Sequence, residues 1–67
     1  MNLVINGEQR SMDLARPTLA AALNQLRVPF ERTAVELNGQ VVERMEYDSV
    51  VLKENDRLEI VTFVGGG

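Results

Sequence analysis

Apolar and polar residues alternate near both ends of the chain, and a longer period separates them. In "NLVINGEQRSMDL", Leu3 and Ile5 share one face of an extended segment, and Met12 and Leu14 can supply the same face from a returning strand. Asn6-Gly7 sits between the two runs. An Asn-Gly pair flanked by β-favouring residues is the strongest short-range hairpin signal, because both residues tolerate the positive φ that a tight turn requires. The pattern repeats in "TAVELNGQVVE", where Val35 and Leu37 lead into Asn38-Gly39 and Val41 or Val42 leads out.

Between the hairpins, "RPTLAAALNQLRVP" changes period. Its leucines fall at 19, 23 and 26, which predicts one amphipathic helix, with Thr18 as cap, three alanines favouring helix and Pro29 marking the end. Burying three leucines is worth roughly 1.5–3 kcal/mol each, enough to anchor a helix of marginal length. Further on, residues 43–48 read as an irregular or single-turn segment and residues 50–52 as a brief edge strand. "KENDR" is a polar turn in which Asn55 can take a left-handed conformation. A last strand is expected from about Arg57 to Val64.

Hairpin, helix, hairpin, short edge element and last strand form an α+β pattern. A final strand can pair parallel to the first in the centre of a mixed four- to five-stranded sheet, with the main helix packed on one face. That is the β-grasp, or ubiquitin-like, arrangement. The expected organisation is a single domain over residues 1–64 followed by a flexible glycine tail over residues 65–67.

Composition narrows the chemistry. The chain has 67 residues with neither Cys nor His, so it has no disulfide, no thiol nucleophile, no imidazole proton shuttle and no soft-metal ligand set. A domain this small buries only about 60% of its unfolded surface, so packing and hydrogen bonds must hold it. Self-contained catalysis and a bound cofactor or metal are not expected. Ten acidic against seven basic residues give a net charge of −3, which disfavours nucleic acid and anionic lipid and suits a basic protein partner. With no membrane span or signal peptide legible, the expectation is a cytoplasmic protein, monomeric when free.

The candidate functional residues cluster in "EIVTFVGGG". Alternation puts Leu58, Ile60 and Thr62 on one side of the last strand and Glu59, Val61 and Phe63 on the other. If Leu58 and Ile60 face the helix, Val61 and Phe63, followed by Val64, form a partner-docking patch on the uncovered face. The competing expectation is that they pack under the "RVPFER" loop or stand as isolated surface apolars. Gly65, Gly66 and Gly67 lack a Cβ and can thread a narrow channel, reaching roughly 10 Å when extended. A carboxylate at Gly67 is a poor electrophile, but transfer onto ATP makes an acyl-adenylate open to attack by a thiol or persulfide. The tail then reads as a substrate for another protein's active site, and the chain itself needs no catalytic residue.

"MNLVINGE", "PTLAAALNQL", "AVELNGQVVER" and above all "VVLKENDRLEIVTFVGGG" resemble the ThiS family of sulfur-carrier proteins over nearly the whole chain. That resemblance implies that an E1-like, ThiF-like adenylyltransferase using ATP and Mg activates Gly67 and that the terminus becomes a thiocarboxylate. It further implies a sulfur donor such as a cysteine desulfurase, and delivery to a ThiG-like thiazole synthase for thiamine biosynthesis. Gly66 and Gly67 match the family's Gly-Gly end, whereas Gly65 varies there. The family often has Pro where Glu43 stands and Gly where Asn55 stands. A molybdopterin synthase small subunit, a protein modifier joined to lysines, and a plain interaction module remain open alternatives.

Overall fold

The computed structural model describes residues 1–64. Strands β1 (Asn2–Ile5) and β2 (Glu8–Ser11) form the first hairpin, and β3 (Thr33–Leu37) and β4 (Gln40–Val42) the second. Helix α1 (Leu19–Gln25) joins them, and β5 (Arg57–Thr62) follows. The strand order is β2-β1-β5-β3-β4, with β5 parallel to β1 and antiparallel to β3. This is the β-grasp arrangement expected from the alternation and turn chemistry.

Both hairpins turn on positive φ: Asn6 at 51° with Gly7 at 83°, and Asn38 at 50° with Gly39 at 87°. Each asparagine also has a second role. The Asn6 amide donates to the Ile60 carbonyl at 3.1 Å and accepts from the Ile60 N–H at 2.7 Å, so a side chain continues the β1–β5 ladder where the β1 backbone turns away. Asn38 accepts from the Arg57 N–H at 2.9 Å and donates to the Asp56 carboxylate at 3.0 Å. Asp56, the buried polar residue, accepts a further bond from the Lys53 N–H at 2.8 Å. Its charge is thereby hydrogen-bonded where an unpartnered carboxylate would be costly.

The core lies between the sheet and α1. Leu3, Ile5, Val35 and Leu58 project from the sheet, Leu19, Ala20, Ala22 and Leu23 from the helix, and Met12, Tyr47 and Leu52 from the connections. Of the two valines considered for β4, Val42 is the one packed against the core, directly opposite Val35. The helix is shorter than its leucine spacing suggests: Leu26 is the C-cap and is half-buried against the core. Thr18 caps the start, its hydroxyl accepting from the Ala21 N–H at 3.1 Å. At the other end Val28 donates to the Leu23 carbonyl and Arg27 to the Asn24 carbonyl, each at 3.0 Å, a Schellman closure. Arg27 occupies the left-handed position of that closure at φ 61°, where glycine is the usual residue.

Residues 50–52 are not an edge strand of the sheet, contrary to expectation. Their hydrogen bonds go to the start of the helix instead: Leu19 donates to the Val50 carbonyl at 2.9 Å, Leu52 donates to the Pro17 carbonyl at 2.7 Å, and Val51 forms an isolated bridge with Thr18. Together with the Ala20 N–H on the Tyr47 carbonyl at 2.9 Å, this satisfies first-turn donors that a helix leaves without intrahelical partners. The 43–48 segment is a single 3₁₀ turn, Arg44–Glu46, closed by a capping box between Glu43 and Glu46. Glu43 has φ −73°, a value that suits proline, but its N–H donates to the Glu46 carboxylate at 3.1 Å, a bond that proline would delete. Asn55 takes the left-handed conformation expected of it, at φ 69°.

Tyr47, the largest fully buried side chain, packs edge-on against Phe30 with ring centroids 5.3 Å apart and planes at 83°. Burial is the main cause that raises its phenol above the ordinary value of 10.0. No helix among the described residues is long and apolar enough to cross a membrane.

The Schellman closure yields a stability prediction. A non-glycine residue in the left-handed region costs roughly 1–2 kcal/mol, part of which is offset because glycine is freer in the unfolded chain. Arg27→Gly is therefore expected to raise the unfolding free energy by about 0.5–1 kcal/mol in a urea titration. A loss of stability would mean that the Arg27 side chain makes a compensating interaction.

Candidate functional site

Strand β5 has one face on the helix and one in the open. Leu58 is fully buried and Ile60 is half-buried against the core, whereas Val61 is 55% exposed. The register places the small side chain of Ala34 directly across from Val61, and Ala34 is itself exposed. Little therefore covers Val61 from the neighbouring strand.

The strand ends at Thr62, two residues before the expected limit, because β3 begins at Thr33 directly opposite and offers no further ladder. One main-chain bond extends the pairing: the Phe63 N–H donates to the Arg32 carbonyl at 2.7 Å. It ties the backbone beside the 3₁₀ turn Phe30–Arg32 while the Phe63 ring remains 55% exposed. Val64 is 93% exposed. The "RVPFER" loop does not shelter these side chains with its own aromatic, since Phe30 turns inward onto Tyr47. Val61, Phe63 and Val64 thus follow one another along the last described stretch of chain, leading towards the glycines. Gly65, Gly66 and Gly67 lie outside the described residues.

The register adds residues to this face that alternation within β5 could not reveal. Glu36 stands opposite Glu59 across β3–β5 and opposite Val41 across β3–β4, and Val41 is 69% exposed. Two carboxylates therefore face each other amid Val41, Ala34 and Val61. Pairing "AVEL" with "LEIV" antiparallel in the sequence would have found them, but only once the register was known. An open groove of about 370 Å³ between β3–β4 and the two 3₁₀ turns is lined in part by Phe30, Val42, Arg44 and Tyr47. Among the described residues no group of three His, Cys, Asp or Glu is placed to hold a metal ion.

Two hairpins joined by a central strand and one covering helix define a ubiquitin-like β-grasp protein. Residues 3–67 match the ThiS family. The crystal structure of the thiamine biosynthesis protein ThiS from Geobacter metallireducens superposes with a TM-score of 0.83 at 39% identity, covering all of both chains. The chain belongs to the ThiS family. It is also 45% and 43% identical, over 67 residues, to the thiazole synthases of Paramagnetospirillum magneticum and Magnetococcus marinus. All of this chain is matched there, but it spans only 20% of the length of each enzyme.

The exposure of Phe63 sets an expectation for its removal. Because the ring is outside both the strand and the core, Phe63→Ala should change the unfolding free energy by no more than about 0.5 kcal/mol. A loss of more than about 2 kcal/mol would mean that the ring is part of the core in solution.

Proposed function

We propose that this chain is a sulfur carrier for thiamine biosynthesis, a cytoplasmic protein whose Gly67 carboxylate is the reactive group and which acts as a substrate rather than a catalyst. The observation that carries this reading is the match of residues 3–67 to the ThiS family, which runs through the three glycines. The exposed Val61, Phe63 and Val64 support it, because they leave an apolar docking stripe immediately ahead of the tail.

In this mechanism the Gly67 carboxylate attacks the α-phosphorus of ATP in an E1-like adenylyltransferase, with Mg held by that enzyme, and pyrophosphate leaves. A sulfur nucleophile supplied by a donor such as a cysteine desulfurase then displaces AMP at the carbonyl carbon. When that nucleophile is a persulfide on the donor, the product is an acyl disulfide, and a second thiol attacks its donor-side sulfur, breaking the S–S bond to leave the thiocarboxylate and a disulfide between that thiol and the donor. The chain's contribution is delivery. Ordering the tail costs about 1–2 kcal/mol per residue, and contacts made by the body of the domain must offset this. Glycine at 65 and 66 lets the main chain enter a channel that a Cβ would obstruct.

Thiazole synthase is the proposed acceptor. Two relatives bearing that name contain a segment matching this entire chain, and joining donor and acceptor in one polypeptide raises their effective concentration. That arrangement supports a physical partnership between a carrier of this kind and the enzyme.

Pyrophosphate exchange with a cognate ThiF-like enzyme tests the reading. Wild-type chain should support exchange, and the variant lacking Gly66 and Gly67 should abolish it with its melting temperature unchanged, since the core lies elsewhere. Gly66→Val should also block exchange by bulk alone. Full exchange by the deletion variant would contradict the proposal and point to an interaction module that works through its sheet.

A further inference from the structure

We infer that the open face of the sheet receives its protein partner around one arginine side chain, whose guanidinium sits between the carboxylates of Glu36 and Glu59. The inference rests on the carrier reading in one respect: the partner is taken to be the adenylylating enzyme.

Glu36 and Glu59 are directly opposite in an antiparallel pair, and both residues are exposed. Side chains so placed have Cβ atoms about 4.5–5.5 Å apart, and like charges there destabilise the sheet. The fold gains nothing visible from this arrangement. The cation nearest along the same face of β5 is Arg57, which the register puts beside Val4 and not between the two glutamates.

The surroundings make the pair selective. Val41 lies next to Glu36 on one side, and Ala34 and Val61 pair across the same two strands one step along the face. A partner covering this apolar surface must also cover the two carboxylates, and removing unpaired charge from water is costly. A partner that brings a cation to the centre turns that cost into an attraction, whereas one that brings an apolar or acidic surface is rejected. Guanidinium fits better than ammonium, because its planar array of five donors can bond two carboxylates at once. The chain's net charge of −3 favours the same approach.

The test is the KM for the full-length chain in ATP–pyrophosphate exchange with a cognate ThiF-like enzyme, compared for wild type, Glu36→Gln, Glu59→Gln and the double variant. The double variant should raise KM at least about tenfold with little change in kcat, and should flatten the dependence of KM on salt. Its melting temperature should be unchanged or higher, because the like-charge contact is gone. Glu8→Gln removes the same charge from the outer strand β2 and controls for net charge; it should leave KM unaltered. A double variant whose KM stays within about twofold of wild type overturns the inference, as does a rise from Glu8→Gln as large as that from either single variant, which would mean bulk charge alone. A fall in melting temperature matching the rise in KM would assign the pair to the fold and also overturn it. Absence of exchange by wild-type chain is a different failure, since it removes the carrier reading itself and the assumed partner with it.

Discussion

The structure depends on β5 taking its place between the two hairpins. An isolated two-stranded hairpin is marginal in water, and this chain has two of them, separated by a seven-residue helix that is too short to persist alone. Pairing β5 parallel to β1 and antiparallel to β3 joins the hairpins into one sheet and presents Leu58 and Ile60 to the helix. The two turns reinforce that placement: the side chains of Asn6 and Asn38 bond the backbone of β5 at Ile60 and Arg57, while their own backbones take the positive φ the hairpins need. Each asparagine thus fixes a local turn and a long-range contact together, and such agreement between levels helps a short sequence specify one structure.

Much of this order was legible in the residues, for identifiable reasons. Asn-Gly turns, period-two alternation and leucines at helical spacing are local signals, and they located both hairpins, the helix and the central strand. What was hidden depends on partners distant in sequence. Residues 50–52 have the composition of a strand, but their main-chain groups bond the start of α1, which no local pattern announces. Residues 43–48 read as an irregular or single-turn segment, which did not mark Tyr47 as the largest fully buried side chain. Arg27 in a left-handed helix closure has no compositional marker, because the usual residue there is glycine. For the candidate site, alternation placed Val61 and Phe63 on the uncovered side, whereas the Glu36–Glu59 pair required the register between β3 and β5.

The division of labour in the molecule follows from its composition. The described domain has neither Cys nor His, and its sheet holds Ala34, Val61 and the facing carboxylates of Glu36 and Glu59 in one register on its open face. The core side chains and the proposed partner-facing side chains come from opposite faces of the same strands. Fold and recognition can therefore vary separately by substitution on one face or the other. The reactive atom in the proposed mechanism belongs to the main chain at Gly67.

Intact mass spectrometry of the chain after incubation with a cognate ThiF-like enzyme, ATP, Mg and a sulfur source tests the carrier function most directly. Replacement of one oxygen by one sulfur, located to Gly67 by fragmentation, is the expected result. An unchanged mass, with the same enzyme shown to activate another carrier, would contradict it.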